Sequence, residues 1–292
     1  MKRVMTAPEL PSVAAPGLRH RDVWANGVRL HVAEAGAGPP LLLLHGWPQH
    51  WWSWRELIPR LAQEHRVLVP DLRGWGWSDA PPGDYAKATF AADVLALLDE
   101  EGIECVTLIG HDWGAFSGFL LALEHPERVE RMVALDIVPP WTTRPSLRHL
   151  AVPLLVSYQV LVATPVVGTA VMTKSNAFVR TMIRGGSRLR RWTDAELDVY
   201  ADVLRDPARA RASSACYRTF LTRELAGLAG RHHPGDLRVP TLLVMGSASP
   251  IHRVLNPQPG PNLRLETING AGHFLPEEAP EQVLELAVAF LG

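Results

Sequence analysis

Val106-Thr107-Leu108-Ile109-Gly110-His111-Asp112-Trp113-Gly114-Ala115 is the stretch on which the fold turns. An apolar run over 106–110 predicts a strand, and the pattern over 115–124 predicts a helix. Glycines stand two residues before and two after Asp112. A strand that turns abruptly into a helix needs small residues at those points, because the turn is strained and its tip side chain must project alone. The helix beneath would aim free backbone N–H groups at the tip, where they stabilise negative charge. The spacing is that of a nucleophile elbow with a carboxylate at the tip. An Asp that merely caps a helix meets the same spacing, so the surrounding chain has to decide.

Outward from the elbow, strand character is expected over 28–34, 41–44, 67–70 and 132–137, with helices over 54–63 and 90–98. The run 41–44 is continuously apolar, which suits a strand covered on both faces of a parallel sheet. This alternation predicts right-handed βαβ units with helices on both sides. From 139 to 234 the pattern turns helical, most clearly over 194–204 and 212–225. Strands resume over 241–245 and 263–268, and a helix over 280–291 closes the chain. The expected architecture is therefore an α/β core with a mostly parallel sheet, formed by 18–138 and 235–292 and interrupted once by a helical cap, 139–234, after a flexible N-terminal arm, 1–17.

Composition narrows the class. The 292 residues are 47% hydrophobic and 20% charged with a net charge of -1, which excludes a disordered or collagenous chain. Cys105 and Cys216 are far apart and lack metal-ligand spacing, so neither a disulfide framework nor a zinc site is expected, and a reducing, cytoplasmic setting fits. The arm carries prolines and no apolar segment of signal-peptide length. Residues 150–173 are uncharged over a length that could span a bilayer, but Pro153, Pro165 and several polar residues interrupt them, so a pair of buried or cavity-lining helices is expected and no membrane span. The cap holds fourteen Lys or Arg against six Asp or Glu, yet no aromatic-interleaved basic stripe accompanies them, and no nucleic-acid partner is expected.

Two further motifs join the elbow. His45-Gly46-Trp47-Pro48 follows the apolar strand and resembles the loop that in an α/β-hydrolase supplies a backbone N–H to an oxyanion; that resemblance implies Trp47 N–H and Trp113 N–H as the pair of donors. Gly270-Ala271-Gly272-His273-Phe274 follows a strand near the C-terminus, and His273 stands out among twelve histidines by its order and context.

Together with Asp71-Leu72-Arg73-Gly74, these motifs resemble the epoxide hydrolases of the α/β-hydrolase superfamily, over nearly the whole chain from about Arg21. That family uses two cap tyrosines, one in a Tyr-Gln step seven residues before a Pro and one in a later Tyr-Arg step. This chain has Tyr158-Gln159 with Pro165, and Tyr217-Arg218, out of only four tyrosines. The resemblance implies that Asp112 attacks an epoxide carbon to form an ester while Tyr158 and Tyr217 donate to the epoxide oxygen, and that His273 then activates water, giving a vicinal diol. Trp47, Trp113, Tyr158 and Tyr217 would contact the substrate. No cofactor or metal is implied, and the partners expected are a small epoxide and water.

One position departs from the family. Its third catalytic group is an Asp shortly after the strand that follows the cap, and Ser249 occupies that place here. Serine cannot carry the charge that stabilises an imidazolium. Either the relay is broken or the acid has moved. Asp136, where similar epoxide hydrolases have Asn and some haloalkane dehalogenases have their acid, is the expected replacement. Asp71, Arg73 and Asp79 are read as loop anchors, His111 as an interior hydrogen-bonding residue, and Trp51, Trp52 and Trp54 as packing. Haloalkane dehalogenase, which shares an Asp nucleophile followed by Trp, is the enzymatic alternative; a non-catalytic ligand-binding protein on the same scaffold is the other. A fluoroacetate dehalogenase is a weaker match, since that group has Arg where Trp113 stands.

Overall fold

The computed structural model describes residues 9–142, 152–225, 232–255 and 257–292. Residues 1–8 of the expected arm and 143–151 and 226–231 of the expected cap lie outside them. Eight strands form one sheet: β1 (Arg19–Ala25), β2 (Val28–Ala35), β3 (Pro40–Leu44), β4 (Arg66–Pro70), β5 (Val106–His111), β6 (Val129–Leu135), β7 (Thr241–Gly246) and β8 (Leu263–Ile268). Their order is β1-β2-β4-β3-β5-β6-β7-β8. The first two strands are antiparallel to their neighbours, and β4, β3, β5, β6, β7 and β8 run parallel.

Burial explains the centre of this sheet. Leu41, Leu42, Leu43 and Leu44 are wholly buried, so both faces of β3 are covered, as its unbroken apolar run requires. The helices Lys87–Glu100, Trp113–Glu124 and Pro280–Leu291 bury apolar faces within the same core. At the edge, β1 buries only Val23 and Ala25 and is rich in charge, which is why no apolar run announces it. Arg21 and Arg66 each pair with both Glu34 and Glu101, so an ionic ladder ties the antiparallel corner to the helix that follows β4.

Local differences from the expected elements have physical reasons. In place of one helix over 54–63 there is a 3-10 turn, Trp51–Trp54, and a single helical turn, Ile58–Leu61. Asp71 accepts the backbone N–H of Trp51, and this tertiary anchor holds the aromatic cluster in a tight turn. Asp136 lies one residue beyond β6 rather than within a strand running to 137, and its backbone is turned to φ 45°.

Between β6 and β7 the chain forms the helices Val152–Ala163, Val167–Thr173, Ala177–Gly186, Asp194–Leu204 and Pro207–Thr219, the last continued by a π-helical turn, Phe220–Glu224. The uncharged stretch is thus two short helices, and no described helix is long and apolar enough to cross a membrane. Polar contacts seat this layer over the C-terminal ends of the parallel strands. Buried Lys87 pairs with Glu224, Trp75 Nε1 donates to Ser213 Oγ at 3.0 Å, and Arg209 Nε donates to the Gly76 carbonyl at 2.5 Å.

Candidate active site

Asp112 stands at the tip of the β5-to-helix turn with φ 48° and ψ -124°, a conformation a non-glycine residue holds only when its surroundings impose it. Close packing imposes it here. A Cβ at Gly110 would lie 2.6 Å from Ala115 Cα, and one at Gly114 would lie 2.4 Å from the Leu44 and His45 carbonyl oxygens. Asp112 precedes the helix without capping it through its side chain, so the alternative of a simple helix cap is not what the carboxylate does. Instead the carboxylate receives the Trp47 N–H at 3.0 Å, and the Trp113 N–H also acts to favour its charged form. Of the two donors expected from sequence, Trp47 N–H thus bonds the carboxylate directly. Burial raises the Asp112 pKa, and His273 with the two N–H groups acts against that rise.

His273 sits on the loop after β8, and its Nδ1 lies 2.7 Å from Asp136 Oδ2. The same Asp136 oxygen accepts the Ser249 hydroxyl at 2.6 Å, while Asp136 Oδ1 accepts the Gly246 N–H at 3.0 Å. Of the two candidates, Asp136 meets the imidazole, and Ser249 supports Asp136. Burial works to lower the His273 pKa, but the hydrogen bond and charge of Asp136, together with the charge of Asp112, outweigh it and raise the value. His111 packs 4.7 Å from the His273 ring and its Nε2 contacts the His273 carbonyl oxygen at 2.9 Å; burial drives its pKa well down, leaving it neutral and interior.

Tyr158 and Tyr217 reach the same place from the helices Val152–Ala163 and Pro207–Thr219. Their rings are 5.8 Å apart, Tyr158 stacks on Trp47 at 6.2 Å, and Tyr217 meets Trp47 edge-on at 5.2 Å and Trp113 at 5.8 Å. Burial and then the Asp112 charge push the Tyr158 pKa up to about 12. The same burial, with Tyr158 and Asp112 nearby, raises that of Tyr217 well above the ordinary phenol value. Both phenols stay protonated at neutral pH, as hydrogen-bond donors must.

All seven residues singled out from the sequence, Asp112, His273, Asp136, Tyr158, Tyr217, Trp47 and Trp113, thus share one site. Among the described residues no group of three or more His, Cys, Asp or Glu side chains is arranged to hold a metal ion. Asp71 is wholly buried and accepts the backbone N–H groups of Trp51 and Trp77 and contacts His31, which suits a loop anchor. Sequence reasoning missed the pair that follows His273. Buried Glu277 accepts hydrogen bonds from Gln49 and Arg55 and from the Tyr200 hydroxyl, and Glu278 binds the His273 loop itself. Two adjacent acids at a helix start read as a solvated face, and only their burial distinguishes them.

A carboxylate on a strained elbow, two N–H donors and an Asp–His pair at strand ends define a hydrolase of α/β type. The α/β hydrolase fold family matches residues 39–280. A soluble epoxide hydrolase from Corynebacterium sp. (strain C12) is 32% identical, over 94% of this chain and 97% of its own length. A fluoroacetate dehalogenase from Burkholderia sp. is 31% identical over 94% of each chain. Among solved structures, the epoxide hydrolase CorEH without ligand superposes with a TM-score of 0.83 at 31% identity, covering 94% of this chain and 98% of the other. The chain belongs to the epoxide hydrolase family of the α/β-hydrolase superfamily.

Proposed function

We propose that the protein opens a small epoxide to a vicinal diol through a covalent ester on Asp112. The observation that carries this reading is the pair of protonated tyrosines, Tyr217 buried and Tyr158 partly buried, packed on each other and on Trp47 beside the Asp112 carboxylate. Ring opening needs a nucleophile at carbon and an acid at oxygen, and this pair gives the acid. An Asp112 oxygen forms a bond to an epoxide carbon as the carbon–oxygen bond breaks, and the departing oxygen takes a proton from the tyrosine pair. His273 then removes a proton from water as the water oxygen adds to the ester carbonyl, with the oxyanion on the Trp47 and Trp113 N–H groups. Collapse expels the diol, restores the Asp112 carboxylate, and the His273 proton returns to the tyrosines.

Electrostatics orders the two steps. While Asp112 is ionised, its charge helps to raise the His273 pKa. Esterification removes that charge, so the imidazole becomes less basic and more of it is neutral when a base is required. Asp136 keeps Nδ1 occupied and orients the opposite nitrogen. The helical layer between β6 and β7 would cover the site and exclude bulk water.

One observation favours a second reading, dehalogenation: the Trp47 indole N–H is buried without an acceptor among the described residues, and such a donor suits a halide. Incubation with styrene oxide, 1-haloalkanes and fluoroacetate, with diol and halide assayed separately, distinguishes the readings. Diol, together with an alkylated Asp112 trapped in the His273→Gln variant, supports the proposal. Halide without diol favours dehalogenation, and neither product favours a binding protein. Full diol formation with Asp112 never modified refutes the covalent route.

A further inference from the structure

Glu278 is buried, yet the reaction above does not use it. Its carboxylate accepts four backbone N–H groups. Two flank the base: Gly272 N–H reaches Oε2 at 3.1 Å and Phe274 N–H reaches Oε1 at 3.0 Å. The other two belong to the turn after the helix Ala177–Gly186: Arg188 N–H at 2.5 Å and Leu189 N–H at 3.0 Å, both to Oε2. The His273 N–H closes the junction on the Gly186 carbonyl at 2.8 Å. The fit is close, since a Cβ at Gly272 would lie 2.2 Å from the Gly186 oxygen and 2.8 Å from Glu278 Oε1.

We infer that Glu278 is a positioning residue that clips the main chain on both sides of His273 to residues 186–189 of the cap, so that seating the cap and aiming the base are one event. An ionised acceptor binding several N–H donors is strong and directional, and a neutral amide cannot replace it, because its NH2 end would face donors. The mechanistic part rests on the function proposed above, in which His273 acts only on the ester. The clip therefore governs ester hydrolysis and leaves ester formation to Asp112 and the tyrosines. The charged and titratable groups around His273 are Asp136 beyond β6, His111 and Asp112 at the elbow, and Glu278 behind the loop; Arg188 in the cap turn folds its guanidinium onto the Gly185 and Ser187 carbonyls. Glu278 contributes to the raised basicity of His273.

The test compares wild type with Glu278→Gln and Glu278→Asp by rapid-quench measurement of the Asp112 ester, NMR titration of the His273 imidazole, and thermal unfolding. In Glu278→Gln, hydrolysis of the ester should slow between about 10- and 100-fold, the range a small misplacement of a catalytic group costs. Ester formation should stay within about 3-fold, so ester accumulates. The His273 titration should move to lower pH, and Glu278→Asp, which keeps the charge, should restore the titration and part of the rate. A lowered melting temperature with both rates and the titration unchanged overturns the inference. If Glu278→Gln does not fold, Glu278→Asp decides: hydrolysis at the wild-type rate overturns it, and a slowed hydrolysis supports it. Should wild type form no ester from any epoxide, the proposed function fails, while the NMR titration still judges the hold of Glu278 on His273.

Discussion

Two Asp–His pairs stand on opposite sides of the elbow, and the proposed function gives them different work. Asp71 contacts His31 Nδ1 at 2.8 Å, and His31 Nε2 is closed off by His20 Nδ1 at 3.0 Å. Asp136 contacts His273 Nδ1 at 2.7 Å, and the charge of Asp112 also acts on that imidazole. The carboxylates are equally buried and equally well supplied with donors: Trp51 and Trp77 N–H for one, Gly246 N–H and the Ser249 hydroxyl for the other. An Asp–His pair is thus not a catalytic feature in itself. What acts on the imidazole besides its acid differs between the pairs, a second histidine in one and the Asp112 charge in the other, and the proposed function rests on that difference.

The sharpest way to break this comparison is to remove the Asp112 charge that acts on His273. Asp112→Ala should lower diol formation at least about 10⁴-fold while leaving the fold intact, as read by circular dichroism. Exchanging the paired acids comes next. Asp136→Asn should slow ester hydrolysis about 10³–10⁴-fold and cause the Asp112 ester to build up, because the amide cannot stabilise an imidazolium. Asp71→Asn should instead cost stability, about 2–3 kcal/mol in denaturant unfolding, with turnover per folded molecule unchanged. If both variants lose only stability, the distinction drawn between the two pairs is wrong. Tyr158→Phe and Tyr217→Phe should each slow ring opening about 100-fold without ester accumulation, measured in single turnovers. Ser249→Ala, which removes one donor from Asp136, should slow hydrolysis about 10-fold.

Acid sharpens the contrast further. Burial opposes ionisation of Asp71, but His31 and the nearby histidines hold its pKa at about 2, below the ordinary 3.8. A depressed carboxyl contributes stability above its unfolded value and loses it as pH falls through the folded one, so this pair gives way between about pH 4 and 2. Asp112 is shifted the other way, by burial, so its carboxylate is protonated at a higher pH than that of an ordinary Asp. On descending pH, kcat/KM should therefore fall before the structure unfolds, and coincident loss of activity and ellipticity would contradict that order.

Much of the site was legible because its residue types are demanding. An elbow needs glycines at fixed spacing, as Gly110 and Gly114 provide, and two tyrosines in distinctive steps are easily noticed in a chain with four. The antiparallel edge strand β1 and the Glu278 clip were not legible. A charged, largely exposed edge carries no apolar run, and a buried carboxylate that binds only backbone N–H groups leaves no partner pattern in the sequence.

By itself the sequence determined the parallel α/β core, the elbow with Asp112 at its tip, and the candidate set of donors and acids, since each follows from local periodicity or from residue types that a strained turn requires. Only the tertiary structure decided between Asp136 and Ser249 as the partner of His273. That choice depends on how β6 and β7 end beside the loop after β8, so that one carboxylate meets a ring nitrogen, a hydroxyl and a backbone N–H brought from three separate parts of the chain.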